Sequence, residues 1–347
     1  MKRSMMLLGA AGLAAASLAF AEQVGVDAAI APYQKTSGVS GNINSVGSDT
    51  MNNMMALWAE TFRKMYPNVK IQIEGKGSGT APPALIAGTS QFGPMSRAMK
   101  AAEIDQFEAK YGYKPTQIRT SYDALAIYVN KDNPITKLTL AQADGIFSKT
   151  RKRGGKEIKT WGDLGLTGDW ASRPISLYGR NSASGTYGFF KEHTLSGGDY
   201  KDTVKEQPGS ASGTYGFFKE HVLQTGDYKD SVKEQPGSAS VVQGVTEDRF
   251  GIGYSGIGYR TSGVKPLQLA DKDQFFDGSY ANVTSGKYPL SRFLYIYINK
   301  APGKPLDPLV KEYVKLILSK DGQEVVVKDG YLPLSPAIVT EELKKLE

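Results

Sequence analysis

Hydrophobic and polar positions alternate along this chain in two distinct rhythms. NINSVGSDT, from residue 42, reads as a strand running into a loop, and MNNMMALWAETFRKMYP after it carries apolar residues at helical spacing. VKIQIEG alternates with period 2, as a half-buried strand does. APPALIAG begins a second helix, with its prolines early, where they are tolerated. SQFGPMS reads as a short strand and loop, and AAEIDQFEAKYG as a further helix. Strand and helix taking turns predict an α/β sheet that binds ligands at the C-terminal ends of its strands. YDALAIYVNKDNP, residues 122–134, is a strand long enough to leave one domain and enter another. YPLSRFLYIYINK, residues 288–300, has the same form and the same Asn-Lys ending, as the return strand of a two-segment hinge would. Between them LTLAQADGIFS predicts a helix, PISLYG a strand and TYGFFKEH a helix. After the return, PLDPLVKEYVKLILSKDGQEVVVKDG predicts a helix that packs back on the first domain. The expected division is therefore a first lobe of residues 42–124 and 291–347 and a second of residues 125–290.

Residues 1–21 break both rhythms. Lys2 and Arg3 precede MMLLGAAGLAAASLAF, and Ala19-Phe20-Ala21 closes the run with a small-x-small pattern, so a secretory signal peptide cleaved after Ala21 is expected. A Gly, Ser and Ala-rich leader over residues 22–41 is expected to be poorly ordered. No later run is apolar enough to span a bilayer. The absence of cysteine excludes disulfides, a thiolate nucleophile and Cys-ligated metal, which favours a freely diffusing periplasmic protein. The formal net charge is +7, and removing Lys2 and Arg3 leaves +5, a modest attraction for small anions. Lys149, Arg151, Lys152, Arg153 and Lys156 lie together in a Gly-containing stretch that reads as a solvated loop, and no nucleic-acid motif accompanies it.

The chemistry concentrates in YGRNSASGT, Tyr178 to Thr186. A strand enters it and a helix leaves it, so Ser184, Gly185 and Thr186 fall at a helix N-terminus, where unpaired N–H groups and the macrodipole favour an anion. Arg180 adds a planar fork that fits a tetrahedral oxyanion. The same device recurs upstream in Gly47-Ser48-Asp49-Thr50, in Gly77-Ser78-Gly79-Thr80 and in Gly93-Pro94-Met95-Ser96-Arg97. Several such helix starts converging on one point would form a dehydrated cage of donors for one small anion.

GSDTM, GKGSGTAP, GPMSRAMK, GRNSASGTYG, EQPGSASVV, GIGYSGIGY and YPLSRFLYIYINK occur in that order, and from Ile43 to Leu334 the chain resembles the periplasmic phosphate-binding proteins of phosphate ABC transporters, the PstS type. The resemblance implies a type 2 periplasmic-binding-protein fold, with two α/β lobes on a two-strand hinge closing over one inorganic phosphate. It also implies delivery to membrane ABC permease subunits, a monomeric state, and no cofactor or metal. Position by position, Arg180, Ser184, Gly185 and Thr186 match the second-lobe ligands and Ser78 a first-lobe hydroxyl, while Asp49 and Thr50 stand where the family offers a hydroxyl and a backbone donor. The candidate phosphate ligands are thus Ser48, Asp49, Thr50, Ser78, Ser96, Arg97, Arg180, Ser184, Gly185 and Thr186. Family members carry an Asp after the third-segment Ser that accepts the proton of hydrogen phosphate, but here Arg97 stands there. Asp49 is expected to replace that acceptor, with Arg97 pairing with Asp49 or the ligand, although Asp49 could instead cap its helix. Asp123, near the hinge, is the other candidate.

A secreted phosphatase on the same fold and a surface-adhesion protein are the competing functions. His193 and His221 are the only histidines and occupy equivalent places in a repeat, which fits a duplicated helix face better than a metal pair or a base, and no G-x-S-x-G elbow is present. That repeat spans residues 182–209 and again 210–237, differing at Thr194/Val222, Ser196/Gln224, Gly197/Thr225 and Thr203/Ser231. Only one copy can own the native helix slot. The first copy is expected to, because Pro208 stands before the second copy where Arg180 precedes the first. The VKEQ strand of the second copy is expected to enter the sheet, leaving about Leu195 to Asp227 as an excursion.

Overall fold

A computed structural model describes residues 24–180, 184–201, 204–207 and 237–347. The expected signal peptide, its cleavage point and the second repeat copy up to residue 236 lie outside the described residues. No described helix is long and apolar enough to cross a membrane.

The first lobe opens with strand β1 (Gly41–Val46), helix α1 (Asn52–Met65), β2 (Val69–Glu74), α2 (Ala81–Ala87), β3 (Gly93–Met95) and α3 (Ala101–Tyr111). Strand β4 (Thr116–Asn130) leads into β5 (Lys137–Thr139), α4 (Leu140–Phe147), β6 (Ser176–Arg180), α5 (Gly185–His193) and β7 (Val204–Gln207). Helix α6 (Gly237–Glu247), β8 (Gly251–Gly256), β9 (Val264–Pro266), β10 (Gln268–Ala270) and α7 (Tyr280–Thr284) complete the middle of the chain. Strand β11 (Ser291–Ile298) then returns to α8 (Pro308–Leu318), α9 (Lys320–Lys328) and α10 (Pro336–Lys344).

β4 belongs to two neighbourhoods. Its first part pairs antiparallel with β11, from Thr116↔Ile298 to Ala124↔Ser291, and from Leu125 onward it pairs with β8 and β9. One unbroken strand therefore serves two cores. On the near side Met54, Met55, Trp58 and Phe62 of α1 pack with Tyr313 and Ile317 of α8, Val326 of α9 and Leu294 and Ile296 of β11. On the far side Ile146 and Phe147 of α4, Phe190 of α5 and Tyr254 of β8 pack with Trp161. Phe190 stacks on Tyr254 at 3.9 Å with an interplanar angle of 2°. Each such side chain, fully buried, contributes roughly 1.5–3 kcal/mol.

Three expectations are corrected. The leader is not loose from residue 24 onward: Ile30 is buried in the first core, Lys320 N donates to Ala31 O at 2.8 Å, and the Tyr33 hydroxyl lies 2.7 Å from both Tyr66 Oη and Glu312 Oε2. Two anchors and a few backbone bonds outweigh a small-residue composition. The helix expected within residues 305–330 is two, because Ser319 is extended, donates to Leu316 O and caps α9 through its hydroxyl. The third concerns the repeat.

The helix after β6 is the first copy, α5, and the strand beside β6 is also the first copy, pairing in parallel from Leu177↔Val204 to Arg180↔Gln207. The second copy's VKEQ was expected there. Leu195 and Tyr200, expected in an excursion, are buried in the second core. The reason is local. A tight turn follows α5, with Gly198 N donating to Leu195 O at 2.8 Å and Lys201 N to Phe147 O at 2.7 Å, so helix and strand close over a short loop. That turn holds Ser196 at φ +49° and Gly197 at φ +76°. Glycine accepts the second position freely, whereas Thr225, its counterpart in the second copy, is β-branched and would be strained there.

Candidate functional site

Three loops of the first lobe and two helix starts of the second meet beside the end of the β4–β11 pairing, where β4 passes from β11 to β8. In the first lobe, Ser48 to Thr50 lie between β1 and α1, Ser78 begins the single 3-10 turn ahead of α2, and Ser96 follows β3. From the second, Ser184 caps α5 by accepting from Tyr187 N at 3.2 Å, and Ser238 stands in the first turn of α6. The hydroxyls form one connected, buried cluster. Thr50 Oγ1 and Thr186 Oγ1 are 2.7 Å apart, Ser78 and Ser96 Oγ 3.2 Å, and Ser96 Oγ and Thr186 Oγ1 3.5 Å. Ser96 N also donates to Ser78 Oγ at 2.9 Å.

Gly185 fits this cluster only because it lacks a side chain. A Cβ there would lie 2.2 Å from Ser78 Oγ and 2.6 Å from Ser96 Oγ. The first turn of α5 is thereby pressed against the opposite lobe, and the structure is closed over the cluster.

Two arginine–aspartate pairs adjoin the hydroxyls. Arg180, at the end of β6, sets Nη2 3.0 Å from Asp49 Oδ2 and donates Nη1 to Ser238 Oγ, and its backbone N–H reaches Tyr254 Oη at 3.2 Å. Asp49 Oδ2 also accepts from Ser238 N at 2.9 Å. Asp49 therefore caps α6 of the facing lobe and not its own helix, whose N-cap position is Met51 with no side-chain bond. The second pair is Arg292 on β11 and Asp123 on β4, directly opposite in register. Arg292 Nε and Nη2 donate to Asp123 Oδ2 at 2.8 and 2.6 Å, Nη1 to Ser96 O at 2.9 Å, and Nη2 to Thr186 Oγ1 at 3.0 Å. Asp123 Oδ1 accepts from Ile257 N at 3.1 Å.

Tyrosines close the back of the site. Tyr259 Oη donates to Asp49 O at 3.0 Å, and Tyr331 Oη to Thr50 O at 2.9 Å. Burial raises both phenols above their ordinary range, and for Tyr259 the Asp49 carboxylate adds to the effect. They stay protonated and serve as donors. Among the described residues no group of three or more His, Cys, Asp or Glu side chains could hold a metal ion.

Of the expected ligands, Thr50, Ser78, Ser96, Gly185 and Thr186 come together, with Asp49 and Arg180 paired beside them. Ser48 is buried next to Asp49, its N–H donating to Pro94 O at 2.8 Å. Arg97 is placed differently from expectation. Its guanidinium forks onto Glu103 at 2.7 and 2.6 Å and does not pair with Asp49. The reason is local: Glu103 is the third residue of α3, already turned back to Lys100 N at 2.8 Å, so a carboxylate waits six residues from Arg97. Residue-by-residue reading missed Arg292, Ser238 and Tyr259. PGSASVV does carry a signal for Ser238, a Gly and a hydroxyl opening a helix, the same device as the three upstream loops.

With that geometry in hand, similarity to known proteins is informative. Residues 33–321 match the family model described as a PBP superfamily domain. The chain is 53% identical over 340 residues, 97% of its length and 95% of the relative's, to the phosphate-binding protein PstS of Pseudomonas aeruginosa. This chain belongs to the PstS family. It is likewise similar to solved structures. A possible phosphate-binding protein from Planctomyces limnophilus is 25% identical with a TM-score of 0.59, covering 89% of this chain and 98% of its own. A putative phosphate ABC transporter substrate-binding protein with bound phosphate, from Clostridium perfringens, has a TM-score of 0.65 at 22% identity, covers 85% of this chain and 100% of its own, and speaks to the fold alone. The PstS relatives are named as binding proteins, not enzymes.

Proposed function

We propose that this chain binds one inorganic phosphate in the periplasm between its two lobes, without turnover, and hands it to the subunits of a membrane ABC permease. One observation carries the reading: hydroxyls from both lobes converge on the first turn of α5, beside a buried arginine, at a point closed off from solvent. Ser48 Oγ and Arg180 Nε support it, since both are buried and find no partner among the described residues. An oxyanion would satisfy such donors, each of which costs about 1–3 kcal/mol when left unpaired. Selectivity over sulfate follows from Asp49. Among the described residues both of its side-chain bonds fall on Oδ2, so that Oδ1 is the oxygen to accept the proton of hydrogen phosphate, a proton that fully ionised sulfate lacks.

Calorimetric titration with phosphate tests the reading. Arg180→Ala should weaken binding by about 2–5 kcal/mol, the usual loss when a hydrogen-bonded buried charge is truncated. Near-native phosphate affinity in that variant would remove Arg180 from the site. Turnover of a chromogenic phosphate monoester by the wild-type chain would move the reading to a phosphatase.

A further inference from the structure

Arg292 touches every part of the molecule that must cooperate when the lobes close. It rises from β11, the return strand of the hinge, and is locked by Asp123 on β4 one residue before that strand changes lobes. Its Nη1 holds the carbonyl of Ser96 in the first lobe. Nη2 reaches Thr186 Oγ1 in the second, and the guanidinium lies 5.2 Å from the centre of the Phe189 ring on the same helix. The bond to Thr186 has a direction, because a guanidinium has no acceptor and can only donate. Thr186 spends a lone pair on Arg292 and keeps its single proton for another partner. Ser78 is held in the same sense by Ser96 N–H. An N–H donor behind each hydroxyl uses one of its lone pairs and leaves its proton available to a further acceptor, such as an oxyanion.

We propose that Arg292 is a positioning residue for anion binding: it fixes the donor sense of Thr186 and ties the first turn of α5 to the hinge, so that closing the lobes and aligning that hydroxyl are one event. Phosphate as the anion rests on the function proposed above. Lysine could keep the ion pair with Asp123, but a single ammonium cannot reproduce the planar fork that reaches Asp123, Ser96 O and Thr186 together. Arg292→Lys therefore separates positioning from charge.

The experiment is a double-mutant cycle of Arg292→Lys with Thr186→Val, read as the Kd for inorganic phosphate in the full chain at a temperature where every variant is folded. Arg292→Lys alone should raise Kd about tenfold or more, and in the Thr186→Val background it should add less than about twofold, since residues acting through one contact are strongly non-additive. Multiplicative effects would overturn the proposal, as would a lowered Tm with unchanged Kd, which is what a purely structural arginine gives. Should Arg292→Lys not fold, the neutral pair Arg292→Met with Asp123→Leu removes both buried charges at once, a replacement that proteins often tolerate. The same dependence on Thr186→Val is then expected, and a native Kd in that variant overturns the proposal. If Thr186→Val and Arg180→Ala themselves leave phosphate binding intact, it is the phosphate site that fails. If they weaken it and Arg292→Lys does not, the site stands and the role given to Arg292 falls.

Discussion

Arg180–Asp49 and Arg292–Asp123 have the same chemistry and opposite construction. In the first pair the carboxylate belongs to one lobe and the guanidinium to the other, so the bond exists only where the lobes meet, and the Asp49 side chain remains 26% exposed. In the second, both residues lie on the hinge strands, face each other in register, and are 2% and 0% exposed. One pair bridges the two lobes; the other lies on the paired strands that join them, where a pivot would be. Their energetic roles should differ accordingly. A buried ion pair contributes little net stability because desolvation offsets its attraction, yet breaking it leaves an uncompensated charge. An interlobe pair beside a ligand is expected to show itself in binding.

The largest effect should come from cutting the pivot. Asp123→Asn leaves Arg292 charged and dry, and the chain should lose about 3–5 kcal/mol of stability, measured as a lowered urea midpoint. Arg180→Ala, by contrast, should lower that midpoint less, since the Asp49 it leaves behind keeps 26% of its side chain open to water, whereas Arg292 would be left fully dry. Equal midpoint losses in the two variants would erase the distinction between pivot and contact.

Asp49→Asn should have a smaller effect, confined to the ligand. Ser238 N can still be accepted by the amide oxygen, so the α6 cap survives, while the carboxylate that accepts a proton from hydrogen phosphate is gone. Phosphate affinity should fall by about 1.5–3 kcal/mol, the worth of a hydrogen bond to a charged group, and the preference over sulfate should narrow. Sulfate competition unchanged from wild type would place the acceptor elsewhere, with Asp123 next to be tested.

The comparison also marks what the sequence can disclose. Gly47-Ser48-Asp49-Thr50 and Arg180 to Thr186 announce themselves because a glycine and a hydroxyl before a helix, recurring along the chain and joined once by an arginine, fit an anion site, and the α/β alternation and long hinge strands are visible in hydrophobic period. Arg292 was not legible as a site residue. Its role comes from facing Asp123 across two strands 169 residues apart in the chain, and register is a tertiary property that the period of 2 leaves open. Arg97 misled for the converse reason: its place in a motif suggested the ligand, but Glu103 nearby captures it. The repeat shows the same limit. Two nearly identical copies compete for one slot, and the tight turn at Ser196 and Gly197, which no apolar pattern reveals, joins the first copy's helix to its own strand.

A third carboxylate at the lobe crossing shows what the two arginines accomplish. Asp329 follows α9, where a Cβ built on Gly258 of the second lobe would lie 2.7 Å from its backbone carbonyl, and among the described residues its side-chain partner is the Asn53 amide and not a cation. Burial raises its pKa to about 6, against a smaller opposing effect of the hydrogen bond from Asn53. Between its ordinary value of 3.8 and about 6 the folded chain binds more protons here than the unfolded chain, so this group's contribution to stability is full below that window and is lost as pH rises through it. Asp329→Asn keeps an acceptor for Asn53 and removes the titration. The variant should therefore match wild type near pH 4 and exceed it in thermal midpoint at pH 7 and above. A constant offset at every pH would show that burial at this crossing does not penalise an unpaired carboxylate, and the contrast drawn with Asp49 and Asp123 would lose its basis.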